Sequence, residues 1–366
     1  MTTATDPTID LTLDGLDEPV STCLCPTVDT TGSRATAVPR ELVHRAATAE
    51  VFLTGMCQPG ADRFHITAQL PRAHSFFVPV GGGHYDPMLV CETIRQVGAF
   101  IAHSAYGVPL GHQFLLSRLD YETFPEHLGI GDTPADVDLD VTCSEIRHRA
   151  GRLQSLCYSV VMRLGEHVIA TGHVGYSVTS PAVYRRLRAE QISRTPRPSL
   201  PARPVRPYEV GRNRLFDVVL ASAAPIPGRE VMATTARNTV EEPNPGTSAD
   251  EVHGEGMRWR LRYDTRHPIL FDHPGDHVPG MVLLEAARQA AIALTPVPES
   301  VVPPPDDTPP GSYLLPTAVR STYQRYAEFD EPLWISAVRV GPTRVRVTGL
   351  QNGETVFDAL MDTAWA

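Results

Sequence analysis

The sequence contains no lysine; all 32 of its basic side chains are arginine. A lysine Schiff base is thereby excluded, and with it pyridoxal phosphate and imine-type aldol chemistry. No uninterrupted apolar run reaches the ~18 residues that a membrane helix needs, and the N-terminus lacks the basic start and apolar stretch of a secretory signal. Cysteine is sparse, six residues in 366, and the one close pair, Cys23 and Cys25, has no histidine beside it to complete a metal site. A chain of this length has ample capacity for a core, in two domains or one large one, and needs no disulfide framework. Broad positive charge is missing too: the net charge of -10 argues against nucleic-acid binding. These absences lead us to expect a protein of the reduced cytoplasm with no membrane, metal or organic cofactor requirement.

What the chain does contain is a repeat. His74, His84, Met88, Glu92, Arg95 and Gln96 recur without a gap as His267, His277, Met281, Glu285, Arg288 and Gln289, every pair 193 positions apart (74 to 267, 96 to 289). In both copies the set spans a Gly- and Pro-rich loop and an Ala-, Val-, Leu- and Ile-rich segment, Met88–Ala105 or Met281–Leu294. Pro87 and Pro279 stand where helices commonly start. Each segment is apolar on nearly all sides, as expected of a buried helix. Alternating text follows in both halves: Asp136–Cys143 in the first, Arg344–Val347 and Thr355–Thr363 in the second, the last two joined through Asn352-Gly353, a hairpin signal.

One buried helix followed by antiparallel strands, twice over, implies an α+β tandem (double) hot-dog fold. We expect an N-terminal tail over 1–37, a first hot-dog domain over 38–180, a linker over 181–209 and a second domain over 210–366. The halves would pair as an intramolecular pseudo-dimer, with a homodimer of whole chains as a further possibility. Between Pro181 and Arg214 lie nine arginines, six prolines and two acidic residues. This stretch reads as a solvated connector or as a landing strip for an acidic partner. The turn-rich acidic stretch Pro225–Gly256 carries no assignment.

Glu92, Arg95 and Gln96, like Glu285, Arg288 and Gln289, fall three and four residues apart and so share a helix face. An ionised carboxylate on an apolar helix is costly unless paired. The set is therefore either a structural ion pair or a carboxylate prepared by burial and arginine for acid–base work. His84 and His277 precede the glutamates by eight residues and are candidate catalytic groups, whereas His74 and His267 read as structural. Free N–H groups at the helix start, Gly280 among them, could stabilise an oxyanion. Cys91 is replaced by Leu284 in the second copy, which argues against a thiol acyl-enzyme.

The run Asp272-His-Pro-Gly-Asp-His277-Val-Pro-Gly-Met-Val-Leu-Leu-Glu285-Ala-Ala-Arg288-Gln289 resembles the signature of the A-factor biosynthesis (AfsA-type) hot-dog family. His84-Tyr-Asp-Pro-Met-Leu-Val-Cys-Glu92-Thr-Ile-Arg95-Gln96 is similar to that family's first repeat, and Val38–Arg45 to its opening strand. The resemblance implies an acyltransferase that joins a 3-oxoacyl chain, carried on acyl carrier protein, to a hydroxyl of dihydroxyacetone phosphate, leading to γ-butyrolactone, butenolide or furan signals. It places the family's helix glutamates and arginines on Glu92, Arg95, Glu285 and Arg288. Glu285 or Glu92 would then be the base and Arg288 or Arg95 the phosphate-orienting group, with Gln289, Gln96 and Gly280 contacting substrate. The second copy is the favoured working site, and Glu285→Gln is expected to fold normally and lose activity. His273-Pro274-Gly275 is also similar to the His-Phe-Pro-Gly turn of 3-hydroxyacyl-carrier-protein dehydratases, but lacks the Phe. A dehydratase or thioesterase on carrier-bound thioesters, and a non-catalytic acyl-binding module, are the alternatives.

Overall fold

The computed structural model describes residues 36–78, 83–193, 203–225, 256–295 and 314–365. Cys23, Cys25 and nearly all of the N-terminal tail lie outside the described residues. So do most of the acidic stretch before Gly256, the proline-rich insertion after Thr295 and positions 194–202 of the linker.

In the first half, β1 (Leu53–Gly60) and β2 (Arg63–Leu70) precede helix α1 (Pro87–Ser104), and β3 (Gln113–Thr123), β4 (Ala135–Arg149), β5 (Arg152–Leu164) and β6 (His167–Thr179) follow it. Two short helices, α2 (Pro181–Leu187) and α3 (Ala189–Ser193), lead out of it. The second half repeats the plan: β7 (Leu220–Pro225), β8 (Gly256–Leu261), α4 (Gly280–Leu294), then β9 (Leu314–Tyr323), β10 (Leu333–Arg339), β11 (Arg344–Gln351) and β12 (Glu354–Trp365). All twelve strands form one antiparallel sheet in the order β1-β2-β4-β5-β6-β3-β9-β12-β11-β10-β8-β7. Read from its two edges inward, the order is the same in both halves, which meet where β3 pairs β9, Tyr121 opposite Val319. The tandem hot-dog fold read from the repeat is the fold of the chain.

Each sheet half curls around its helix because its strands alternate. In β4, Val137, Leu139, Val141 and Cys143 point inward, while Asp136, Asp138 and Asp140 face outward. The helices are buried on nearly every side, α1 from Pro87 through Ile94 without a break. Gly98 belongs to that packing. A Cβ there would lie 2.8 Å from Tyr158 Cε1, and the Tyr158 and Tyr176 hydroxyls donate to the Ile94 and Gly98 carbonyls at 2.8 Å.

Three expectations change. The segment resembling an opening strand forms a 3-10 turn at Arg40–Val43, where Pro39 has no N–H to give a ladder. The linker is not simply solvated, because Arg188 just beyond α2 is buried. Of the cysteines, Cys91, Cys143 and Cys157 are free, but Cys57 is disulfide-bonded, which the scattered spacing did not announce. No helix among the described residues is long and apolar enough to cross a membrane.

Candidate active site

Glu92 and Glu285 lie fully buried in the second turn of their helices. Around Glu285, Arg288 donates from Nε to one carboxylate oxygen (2.8 Å) and from Nη2 to the other (2.9 Å), and Gln289 Nε2 donates at 2.6 Å. A second arginine, Arg212, donates from Nε (2.8 Å) and Nη2 (2.7 Å). Around Glu92 the same roles fall to Arg95 (2.8 Å for both contacts), Gln96 (2.9 Å) and Arg45, whose Nε lies at 3.0 Å and Nη2 at 2.5 Å. Burial alone would push both carboxyls up. The charges and hydrogen bonds of the two arginines outweigh it and hold each at about 2.

Arg45 and Arg212 were not anticipated from the sequence. Each follows a 3-10 turn, Arg40–Val43 or Pro207–Val210, whose left-handed cap, His44 (φ 55°) or Gly211 (φ 65°), turns the chain so that the next side chain enters the core. Each also reaches across the pseudo-twofold axis: Arg212 Nη1 donates to the Phe76 carbonyl (2.6 Å) and Arg45 Nη1 to the Ile269 carbonyl (3.4 Å). The clusters therefore bind helix, turn and the opposite half's loop together.

This geometry revises three assignments. Glu285 accepts five hydrogen bonds and Glu92 four, with Arg45 Nη2 2.5 Å away as well, and both stay ionised down to about pH 2, which leaves them little capacity or proton affinity for general-base work. Gln96 and Gln289 are equally committed. Gln96 receives the Phe52 N–H (3.1 Å) and donates to the Glu50 carbonyl (2.7 Å); Gln289 receives the Val219 N–H (3.0 Å) and donates to the Asp217 carbonyl (2.9 Å). Both N–H groups of each amide are used, and both side chains are fully buried. Among the described residues, neither His84 nor His277 hydrogen-bonds to a glutamate; His84 forms only an isolated bridge with Gly129.

His74 and His267 are structural. Nδ1 of His74 accepts from the Phe76 and Phe77 N–H groups (3.1 and 3.0 Å), and Nδ1 of His267 from those of Ile269 and Leu270 (3.2 and 3.1 Å). That leaves each Nε2–H to donate, to Glu50 at 3.2 Å and Asp217 at 3.1 Å.

His277 is the histidine with an arrangement suited to proton transfer. Its Nδ1 lies 2.7 Å from Asp276 Oδ1, and its side chain is 31% exposed. Asp276 also accepts from the Tyr184 hydroxyl (2.6 Å) and from Arg188 Nε (3.0 Å), and Arg188 forks onto Glu328. Burial would raise the Asp276 carboxyl, but the bonds from His277, Tyr184 and Arg188 hold it well below the usual range. A fixed carboxylate at Nδ1 favours the tautomer that leaves Nε2 free to take a proton. His84, the matching residue in the first half, follows Gly83 and has no such carboxylate.

Three residues beyond His277, α4 begins at Gly280 with Pro279 as its N-cap and no capping side chain, whereas Asp86 caps α1 by accepting from the Met88 N–H at 2.8 Å. The first N–H of α4 bonded to a neighbouring carbonyl belongs to Val282, so those of Gly280 and Met281 remain available among the described residues. A Cβ at Gly280 would stand 3.0 Å from Tyr323 Cε1, so glycine is needed for the close approach. Cys91 is fully buried, and burial, reinforced by Glu92, raises its thiol well above the ordinary range. No group of three or more metal-ligating side chains occurs among the described residues.

The sequence model described as "A-factor biosynthesis hotdog domain" matches residues 28–180 and 193–363. The chain is 46% identical over 334 residues to the 2-oxo-3-(phosphooxy)propyl 3-oxoalkanoate synthase of Streptomyces virginiae, covering 90% of this chain and 98% of that one. Synthases of the same name from Streptomyces coelicolor (40%, covering 88% of this chain and 90% of that one) and Streptomyces griseus subsp. griseus (38%, covering 92% and 94%) are also similar. With both halves matched and the helix sets in register, the chain belongs to the A-factor biosynthesis hotdog family.

Proposed function

We propose that the protein is an acyltransferase that joins a 3-oxoacyl chain from acyl carrier protein to the hydroxyl of dihydroxyacetone phosphate, the committing step toward a γ-butyrolactone-type signal. The observation that carries this reading is the similarity over nearly the whole of both chains to synthases whose name describes that ester. The geometry supports it. Ester formation from a thioester needs a base for the incoming hydroxyl and donors for the carbonyl oxygen. His277, oriented by Asp276, supplies the base, and the N–H groups of Gly280 and Met281 supply the donors. The hydroxyl oxygen attacks the thioester carbonyl, its proton passes to His277 Nε2, and the thiolate leaves with that proton.

In this reading the two Glu–Arg–Arg clusters hold the halves in register around the site, and we place the enzyme in the cytoplasm, where carrier-bound acyl chains are made. The chain divides into hot-dog units over 38–180 and 207–366, the second starting three residues earlier than the sequence suggested. The second unit extends back to its own 3-10 turn at Pro207–Val210, which matches Arg40–Val43. Incubation of 3-oxoacyl carrier protein with and without dihydroxyacetone phosphate, followed by mass spectrometry, tests the function. Ester that requires the acceptor is expected. Free acid regardless of acceptor would instead make the protein a thioesterase, and loss of water from a 3-hydroxyacyl substrate a dehydratase.

A further inference from the structure

The two clusters match in their hydrogen bonds but not in their surroundings. The Arg288 side chain is 4% exposed, whereas that of Arg95 is 22% exposed, so of the two Nη1 groups, neither of which has an acceptor among the described residues, that of Arg95 lies on the more open side chain. The second cluster is sealed at Gly211, where a Cβ would stand 2.9 Å from Ile292 Cδ1 and 3.4 Å from Arg288 Nη1. In the first half the same backbone position is His44, and the position matching Ile292 is Ala99, which leaves room for an imidazole. A non-glycine residue is strained in the left-handed region, yet His44 occupies it.

His44 Nε2 lies 2.8 Å from His103 Nε2, and His103 Nδ1 donates to the Val108 carbonyl at 2.7 Å, so the proton between the rings belongs to His44. Both rings rest against Phe114, at 4.7 and 5.3 Å. His273, with its side chain 57% exposed, comes from the loop of the second half, which Asp272 anchors by accepting from the Ala46 and Ala47 N–H groups (2.6 and 3.1 Å). The carboxylates nearby are already committed: Glu92 to two arginines and Gln96, Asp272 to these two amides and, at 3.4 Å, to Nδ1 of His273 itself. What remains is one uncompensated positive charge, because Arg45 and Arg95 share the single carboxylate of Glu92. Burial first, then Arg95, His103 and His273, drive His44 down to about 3.

We propose that this pocket in the first half, formed by Arg95, His44 and His103 and closed by His273, binds the phosphate monoester of the acceptor, while the cluster around Glu285 is structural. The Arg95 guanidinium edge suits a phosphate group, and because the ring N–H groups are spent on His103 and the Val108 carbonyl, His44 would meet the phosphate through Nδ1, which accepts the monoester's own proton. Leu116, two residues along β3 from Phe114 on the same face, lies against Gly280, so the phosphate would sit next to the donors at the start of α4. The identity of the phosphate-bearing molecule rests on the acyl-transfer reading; the anion site does not.

The test is His44→Gly, which installs the residue that the second half carries at the same backbone conformation, together with His273→Val, which installs the residue at the matching position 80. Calorimetric binding of dihydroxyacetone phosphate to the full chain is expected to weaken about tenfold or more in either variant. The acceptor KM should rise in step, and the KM for carrier-bound donor should stay put. Unchanged binding in both variants would overturn the proposal. So would a rise confined to the KM of the carrier-bound donor, since the pocket would then hold the donor's phosphodiester. Binding that is lost in the variants of a wild-type chain that forms no ester would uphold the phosphate site and sink the acyl-transfer reading instead.

Discussion

The guanidinium of Arg212 forks across the carboxylate of Glu285, Nε 2.8 Å from one oxygen and Nη2 2.7 Å from the other. Because Arg288 holds the same two oxygens, Glu285→Gln removes one charge from between two buried cations and exchanges acceptors for an amide that cannot serve both. Breaking a buried ion pair costs about 3–5 kcal/mol, and we expect Glu285→Gln and Glu92→Gln to lose stability on that order. Urea unfolding checks this. A variant with an unshifted midpoint and an ester-forming rate a hundredfold lower would restore the glutamate as a base.

The same clusters set the acid limit of stability. Both glutamates titrate at about 2 in the folded chain against an ordinary value near 4.5, so the unfolded chain takes up these protons first. Their contribution is complete above pH 4.5 and is lost as pH falls from there toward 2. Unfolding free energy followed by denaturant titration between pH 6 and 3 should decline steeply over that window. A flat profile would mean that the carboxylates are not ionised in the fold.

Much of this was legible in the sequence, and the limits of what was legible have physical causes. The helices and their Glu-Arg-Gln sets could be read because no insertion interrupts the interval of 193. Arg45 and Arg212 escaped because the matching interval upstream is 167, and a single 3-10 turn has no periodicity to betray it. Val43-His44-Arg45 against Val210-Gly211-Arg212 was the available signal. The second copy looked the richer in sequence, and the groups we assign to the chemistry, His277, Gly280 and Met281, lie in it; what the sequence could not show is that Asp272, next to His273, is anchored on the Ala46 and Ala47 amides of the first half. Tyr184 and Arg188 sat in what read as a connector, where no pattern marks a buried arginine.

His65 makes the opposite pH prediction. Its ring, 26% exposed, lies 3.4 Å from Asp138 and 3.1 Å from Asp140, and those hydrogen bonds raise its pKa to about 9 from 6.5. A raised value in the fold gives stability that is complete below pH 6.5 and disappears as pH rises through 9. His65→Gln should flatten stability between pH 6.5 and 9 relative to the parent chain, while leaving the acid limb intact. Parallel profiles in that range would show that the two aspartates do not hold the proton.

Arg188 joins the segment after α2 to the second half through Asp276 (3.0 Å) and Glu328, with its guanidinium 4.2 Å from the Tyr326 ring. Arg188→Met keeps the stem but leaves two carboxylates facing each other. It should destabilise the chain by about 3–5 kcal/mol, the penalty for breaking a buried pair, and should raise the Asp276 carboxyl. Hydrogen exchange of α2 amides, compared with those of α1, measures this locally. Uniform protection in both helices would mean that Arg188 does not tether the linker.

Asp276 and His277 provide the sharpest test of the chemistry. If Nε2 takes the acceptor's proton, the carboxylate acts through the ring: it fixes the tautomer and steadies the imidazolium that forms. His277→Ala should lower kcat by about 10²- to 10⁴-fold, the range for loss of a general base, with the urea midpoint little changed because the side chain is 31% exposed. Asp276→Asn should leave His277 in place but remove the charge that steadies the imidazolium, so kcat should fall and the activity that remains should reach its plateau at lower pH than in the parent. An Asp276→Asn enzyme with the parent pH profile would confine Asp276 to holding Tyr184 and Arg188, and the base would have to be sought among His273, His44 and His103 in the first-half pocket.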